Sequence, residues 1–167
     1  MGKINTSVKK IGFNRIAKLT SFEDLKQAKE LEKAADIRNP GSTDGDYVYY
    51  GIKYNKCIIA EICVDEDFYS WGWWWHDQGV KRPEVMIESL VVSSEFRSMG
   101  LGYRLRKHIQ KKYDSIGTGT SSKSHPAIHI LNKQMGFCYV ADTSKTGKIY
   151  YWEKKSRKKD NGKNKKR

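Results

Sequence analysis

At residues 97–102 the chain has the sequence Arg97-Ser98-Met99-Gly100-Leu101-Gly102, an R-x-x-G-x-G pattern. An apolar, strand-like run from Val85 to Val92 precedes it, and a helix-like stretch from Tyr103 to Tyr113 follows it. Glycines let the backbone approach an anion without interference from a Cβ atom, and a helix start directs free N–H groups toward that anion. The pattern therefore predicts a phosphate cradle, with a pyrophosphate as the expected ligand.

Two other glycine-rich phosphate loops do not fit this pattern. A P-loop ends in Gly-Lys-Ser/Thr, whereas Gly102 is followed by Tyr103 and Arg104. A dinucleotide-binding fold places G-x-G-x-x-G after an early strand, with an acidic residue about twenty positions later that reaches the ribose. The cradle therefore indicates a different pyrophosphate cofactor.

With these residues the chain resembles the GNAT superfamily of acetyl-coenzyme A-dependent N-acyltransferases, whose signature is a strand, a Q/R-x-x-G-x-G/A loop and a helix. The second signature is a later helix that ends in Gly-Phe, and the chain has Gly136 and Phe137 after a helix-like stretch from Ala127. The resemblance covers roughly Phe13 to Trp152. It implies an α/β (α+β) fold: one GNAT-like domain over residues 1–153, in which helices flank a mixed, mostly antiparallel central sheet with splayed middle strands.

Patterns of apolar residues, caps and turns predict the elements around the loop. A helix begins after Ser21 as N-cap, and the helix after the glycine loop has Leu101, Leu105 and Ile109 on one face and basic residues on the other. The predicted strands are Gly12 to Leu19, Asp46 to Tyr54, Cys57 to Val64, Pro83 to Val92, Ser115 to Thr120, Phe137 to Asp142 and Lys148 to Trp152. A last helix runs from Pro126 to about Met135.

The resemblance implies acetyl-CoA as the acyl donor, with its pantetheine arm paired to the strand before the loop. The residues expected to hold it are Leu90, Val91, Val92, Arg97, Ser98, Met99, Gly100, Leu101, Gly102 and Tyr103. No metal is expected, because the three cysteines are scattered and form no C-x-x-C pair.

Acyl transfer to an amine needs a group that takes up the amine proton, because an ammonium cannot attack a carbonyl. Glu88 is the leading base, acting through water. It lies on the same strand face as Met86, Leu90 and Val92, where burial would raise its pKa toward a useful range. The alternative is a structural carboxylate or a clamp for the substrate ammonium.

Many members of the superfamily place a tyrosine four residues before the glycine of Gly-Phe, where it acts as general acid toward the leaving thiolate. This chain has Asn132 there, which cannot act as an acid, although its amide could hydrogen-bond the thiol sulfur. Ser124, His125 and His129 are the substitutes. His125 is the leading one, as acid, base or simple helix cap.

Residues 69–77 contain four tryptophans within five positions, between two predicted strands. We expect a loop here. An exposed loop would offer flat platforms for a base, a sugar or an aromatic side chain of the acceptor. The candidate acceptor-binding residues are Trp73, Trp74, Trp75 and His76. The alternative is a structural lid that folds back on the sheet.

The net charge of +13 is concentrated at the end of the chain. Residues 154–167 contain nine Lys or Arg against Asp160, and we expect a disordered arm that either solubilises the protein or contacts nucleic acid. The chain has neither an apolar run of about 18 residues nor the apolar centre of a signal peptide. A cytoplasmic protein without a membrane partner, monomer or homodimer, is therefore expected.

The function that follows is N-acetyltransfer from acetyl-CoA to a primary amine of a small-molecule or macromolecular acceptor. The tail could deliver an acceptor that is associated with nucleic acid. The alternative function is that of a GNAT-fold protein that modifies or binds nucleic acid without ordinary acetyltransferase activity.

Overall fold

The structure is a computed structural model and describes residues 15–37, 47–66, 72–120, 124, 126–143 and 147–155. These residues form one sheet with helices around it. In chain order the elements are β1 (Ala17–Lys18), α1 (Phe22–Ala34), β2 (Tyr47–Tyr54), β3 (Cys57–Asp65), α2 (Gly72–Asp77), β4 (Val85–Val92), a 3₁₀ turn (Ser94–Phe96), α3 (Leu101–Lys112), β5 (Ser115–Thr120), α4 (Ala127–Gln134), β6 (Cys138–Asp142) and β7 (Lys148–Glu153).

The seven strands lie in the order β1-β2-β3-β4-β5-β7-β6. Strands β4 and β5 are parallel, and every other neighbouring pair is antiparallel. The pairing of β4 with β5 starts at Val85 and Ile116 and stops at Ile87 and Thr118, although β4 continues to Val92. The predicted mixed, mostly antiparallel sheet with splayed middle strands is therefore confirmed.

Helix α1 covers one face of the sheet. Its N-cap is Ser21, as predicted, and the Ser21 hydroxyl accepts a hydrogen bond of 3.1 Å from the Asp24 N–H. The helix is tied to the sheet by an ion pair of 2.7 Å between Lys53 and Asp24 and by the Ile58 N–H, which donates to Gln27 at 3.0 Å. These contacts hold the first half of the helix on the sheet, and residues 35–37, at its other end, border the site.

Helix α3 connects the two parallel strands across the other face. Leu101, Leu105 and Ile109 are buried against the sheet, as their spacing predicts. The helix begins at Leu101, two residues before the expected start, because Gly100 with a φ of 75° forms its N-cap. On the basic side Lys107 is exposed, but Arg106 is buried.

The expected tryptophan loop is instead the short helix α2. Its backbone turns so that Trp75 is buried, with ring centroids 5.0 Å from Trp74 and 6.1 Å from Tyr151. Burial of one large aromatic side chain gives this segment the packing that a surface loop lacks. Local sequence did not indicate it because six residues are too few for a helical period to show.

Other differences concern boundaries. Strand β1 is only Ala17–Lys18, and residues 12–14 of its predicted range lie outside the described residues. The first residue assigned to the tail, Lys154, is tied to Asp114 by its N–H at 2.8 Å and by its ammonium at 3.1 Å.

No helix in the described part of the chain is long and apolar enough to cross a membrane.

Candidate active site

A cleft of about 1540 Å³ lies where β4 separates from β5. It runs from the end of α1, past β4 and α2, to the facing walls of α3 and α4. The whole segment 86–92 of β4 lines it, together with residues 118–120 of β5. The splaying of the sheet therefore creates the space for ligands.

The glycine loop forms one end of this cleft. Ser98 and Gly100 both have left-handed backbone angles, with φ of 64° and 75°, which curl the loop around the start of α3. The first helical hydrogen bond there runs from the Arg104 N–H to the Gly100 carbonyl at 3.0 Å. The N–H groups of residues 101–103 precede that bond and have no partner within the helix, which is the arrangement that binds phosphate.

The residues predicted for the cofactor lie together with one exception. Nine of the ten line the cleft: Leu90, Val91, Val92, Arg97, Ser98, Gly100, Leu101, Gly102 and Tyr103. The exception is Met99, which packs against the hydrophobic core.

The arrangement fits the phosphates and arm of acetyl-CoA. A Cβ atom on Gly102 would lie 3.7 Å from Leu90 and 3.9 Å from both Leu131 and Val92. The bare glycine thus keeps open the gap between β4 and α4. A pantetheine arm would occupy this gap, next to strand edges that β5 leaves unpaired.

Glu88 lies at a β-bulge in the middle of β4. Cys63 pairs with Ser89 and Val64 pairs with Ile87, so Glu88 has no partner in β3. Its side chain projects into the cleft and is exposed rather than buried as expected. Desolvation by the surrounding protein nevertheless raises the pKa of Glu88 above its usual range, and the Asp65 carboxylate raises it further.

Asn132 is not brought to the cleft in the way that the sequence suggested. Asn132 is completely buried, is not among the residues that line the cleft, and accepts a hydrogen bond from Arg106 through its Oδ1. His125 lies outside the described residues. Of the other candidates, Ser124 lines the cleft, whereas His129 contacts the Tyr150 hydroxyl at 2.8 Å.

The tryptophan helix closes the other end of the cleft. Trp74 and Trp75 line it together with Tyr47 and Asp65. His76 is exposed and is not among the lining residues. The backbone of Trp73 is part of α2, but its side chain lies outside the described part. The helix thus supplies two aromatic side chains to a wall that also carries carboxylates.

Comparison with known proteins agrees with this geometry. The model of the acetyltransferase (GNAT) family matches residues 13–137. The chain belongs to the GNAT acetyltransferase family. Its sequence matches no curated protein.

Solved GNAT-like structures share the fold at low sequence identity. The ribosomal-protein-S18-alanine N-acetyltransferase of Escherichia coli is 15% identical, with a TM-score of 0.58 over 87% of this chain and 97% of that one. An acetyltransferase of Thermus thermophilus is 9% identical, with a TM-score of 0.61 over 83% and 97%. A GNAT-family acetyltransferase of Staphylococcus aureus is 12% identical, with a TM-score of 0.58 over 85% and 99%. At these identities the likeness shows the fold alone.

A pair of buried carboxyl groups lies beneath the GNAT cleft, under α1. Glu32 and Glu61 are completely buried, and the Ser89 hydroxyl is 2.6 Å from Glu32 and 3.1 Å and 3.2 Å from the two oxygens of Glu61. One hydroxyl proton can be donated to only one carboxyl, so Ser89 donates to Glu32 and accepts from a protonated Glu61.

The environment favours this protonated state. Burial raises the pKa of both carboxyls, and the charge of Glu32 raises that of Glu61 further. The Tyr49 hydroxyl donates to Glu32 at 3.3 Å, which helps to hold the single negative charge there. Because Ser89 also lines the cleft, this network reaches the floor of the site.

Sequence reasoning missed several of these residues. In the sequence, an arginine on the basic side of a helix indicates a surface residue. Only the position of Arg106, about one helical turn after Gly102, connects it with the cleft. Asp65 is the last residue of β3, and a single carboxylate at the end of a strand does not indicate a functional site. Glu32 and Ser89 are 57 positions apart in the chain, so no local pattern could connect them.

Proposed function

We propose that this GNAT protein transfers an acetyl group from acetyl-CoA to a primary amine, with Glu88 as a general base that acts through water. The position of Glu88 carries the proposal. Its carboxyl lies at a bulge in β4, in the cleft that opens between β4 and β5, and its pKa is raised. A raised pKa makes the Glu88 carboxylate a stronger base, which favours uptake of the amine proton.

The donor would lie along β4 and over the start of α3. The N–H groups of residues 101–103 would bind its pyrophosphate, and the free edge of β4 at residues 90–92 would pair with its pantetheine arm. When bound, acetyl-CoA supplies an activated thioester carbon. Glycine at position 102 keeps this path open.

The reaction balances with the groups present. The amine nitrogen forms a bond to the thioester carbon, the carbon–sulfur bond breaks, and its electron pair leaves with the sulfur. Glu88 receives the amine proton through a water molecule and returns it to solvent. The sulfur takes up a proton after departure, so acetyl-CoA and amine become amide and CoA.

The acceptor would enter beside α2. Trp74, packed on the buried Trp75, offers flat aromatic surface, and Asp65 and Glu88 offer negative charge in the same wall. Aromatic faces and carboxylates together attract an ammonium group that is attached to an apolar or planar body. This combination supports an amine next to such a body as the acceptor class.

The test of the base is Glu88→Gln, which keeps the shape of the side chain and removes its basicity. We expect kcat/KM to fall by about 100-fold to 10,000-fold, with unchanged affinity for acetyl-CoA by calorimetry. Asp65→Asn is the matched variant. Without the Asp65 charge the pKa of Glu88 falls, so the acidic limb of the pH–rate profile should shift to lower pH. An unchanged rate in Glu88→Gln would exclude this base.

Calorimetry of the unmodified protein with acetyl-CoA tests the donor. If acetyl-CoA did not bind, the acetyltransferase proposal would fail. A salt-dependent gel shift with RNA, with and without residues 154–167, would then test the alternative of a nucleic-acid-binding protein.

A further inference from the structure

Arg106 is a buried cation beside the cofactor cleft. Its side chain is 1% exposed, yet it is one of the residues that line the cleft. No carboxylate among the described residues forms an ion pair with it. An unpaired charge in the interior is strongly destabilising, so its presence calls for an anion that the protein itself does not supply.

The contacts of Arg106 leave donors unused. Its Nη1 donates to the Asn132 Oδ1, and its guanidinium lies 5.2 Å above the ring of Phe137. Among the described residues, neither the buried Arg106 Nε nor the buried Asn132 Nδ2 has a hydrogen-bond partner. Two adjacent buried donors without acceptors are rare in folded proteins and indicate a missing ligand group.

The position of Arg106 along the cleft separates it from the phosphate cradle. As the crossover between parallel strands, α3 runs antiparallel to β4, and Gly102 is level with Leu90 and Val92. Four helical residues advance about 6 Å, which equals about two residues of a strand. Arg106 therefore lies about level with the middle of β4, where Glu88 projects, and away from the pyrophosphate end.

We propose that Arg106, positioned by Asn132, is the cation that stabilises the thiolate of CoA as it leaves. The inference rests on the acetyltransferase function proposed above. Asn132 cannot release a proton, so the chain would stabilise the departing sulfur by a fixed positive charge instead of by proton transfer. Burial lowers the pKa of Arg106 to about 10, so the side chain remains a cation at neutral pH.

The step is balanced without a further reactant. The carbon–sulfur bond breaks, the electron pair stays on sulfur, and the resulting negative charge is matched by the guanidinium. The proton that the thiolate later takes up comes from solvent. Arg106 itself gains and loses no proton, which distinguishes this role from that of a general acid.

The decisive measurement is the acidity of the thiol of CoA bound to the full-length protein. Thiolates absorb ultraviolet light more strongly than thiols, so a pH titration of bound CoA gives its thiol pKa. We expect this pKa to lie below that of free CoA in the unmodified protein. Arg106→Met should raise it by about one unit or more, and kcat should fall by about 100-fold with little change in the KM for the amine.

Three further variants control the result. Lys107→Met removes the same charge from the exposed side of α3 and should leave the bound thiol unchanged. Arg106→Lys should retain part of the effect. Asn132→Asp places a carboxylate on Arg106, which neutralises it, and should raise the thiol pKa while Arg106 is still present. Methionine has a volume similar to that of arginine and suits the buried site, so the Arg106→Met protein should fold.

The outcomes separate the two proposals. If CoA binds and its thiol pKa is the same in the unmodified protein and in Arg106→Met, the role of Arg106 is overturned and the acetyltransferase function stands. The same holds if Arg106→Met weakens CoA binding but leaves kcat intact. If CoA and acetyl-CoA do not bind to the unmodified protein, both proposals fail.

Discussion

Replacing Glu61 by glutamine should stabilise the protein at neutral pH, although the residue is in the middle of the sheet. Glutamine has the same shape, and its amide can donate to the Ser89 hydroxyl as the protonated carboxyl does. The substitution therefore keeps the hydrogen bond that links Glu61 through Ser89 to Glu32. It removes the only part of Glu61 that can become charged in the interior.

The magnitude follows from proton linkage. In the unfolded chain Glu61 loses its proton near the ordinary glutamate pKa of 4.5, whereas in the folded protein the pKa is raised well above that value. Above about pH 4.5 the folded state thus binds one more proton than the unfolded state, so the free energy of unfolding falls as pH rises. The slope is about 1.4 kcal/mol per pH unit until the folded group also ionises. The contribution of Glu61 to the free energy of unfolding is fully present below its pKa in the unfolded chain. It is lost as the pH rises toward its pKa in the folded protein.

Urea unfolding monitored by tryptophan fluorescence, from about pH 5 to about pH 8, would measure this slope. The free energy of unfolding should depend less on pH in Glu61→Gln than in the unmodified protein. The stability advantage of Glu61→Gln over the unmodified protein should therefore grow as the pH rises. Glu30→Gln, an exposed substitution in α1, controls for the loss of a negative charge. Equal pH dependence in Glu61→Gln and the unmodified protein would refute the protonated buried pair.

Five other substitutions have defined outcomes. Gly102→Leu should abolish acetyl-CoA binding in calorimetry without unfolding the protein, whereas Gly102→Ala, whose Cβ makes only ordinary contacts of 3.7 to 3.9 Å, should still bind. Gly117→Ala should lower stability by about 1–3 kcal/mol in thermal unfolding, because its Cβ would lie 2.3 Å from the sulfur of Met86. Gly119→Ala, with its nearest contact at 3.4 Å, should have a smaller effect. Trp74→Ala should raise the KM for the amine and leave acetyl-CoA affinity unchanged, and an unaltered amine KM would exclude Trp74 from the acceptor site.

The segment of β4, the glycine loop and α3 was predictable because its signals are local. The alternation of β4, the glycines of the loop and the spacing of Leu101, Leu105 and Ile109 all describe backbone conformation over a few residues. The predicted strand at residues 115–120 and the N-cap at Ser21 agree with the structure for the same reason. The family match over residues 13–137 includes this whole segment.

The tryptophan segment and Glu88 were predicted less well. The tryptophan segment is a helix instead of a loop, because the burial of Trp75 against Tyr151 outweighs local preference. Glu88 was expected to be buried by simple alternation. A bulge changes its surroundings, and a bulge depends on how two strands register with each other.

The sequence by itself determined the fold class, the family and the position of the glycine loop at a helix start, because period, glycine placement and helix caps act within a few residues. Only the tertiary structure decided the electrostatics of the site. It buried Arg106 against Asn132, which is 26 positions away, and joined Glu32 to Glu61 through Ser89. A side chain's protonation and charge depend on solvent exposure and on neighbours that packing brings from distant parts of the chain, and no local pattern encodes those neighbours.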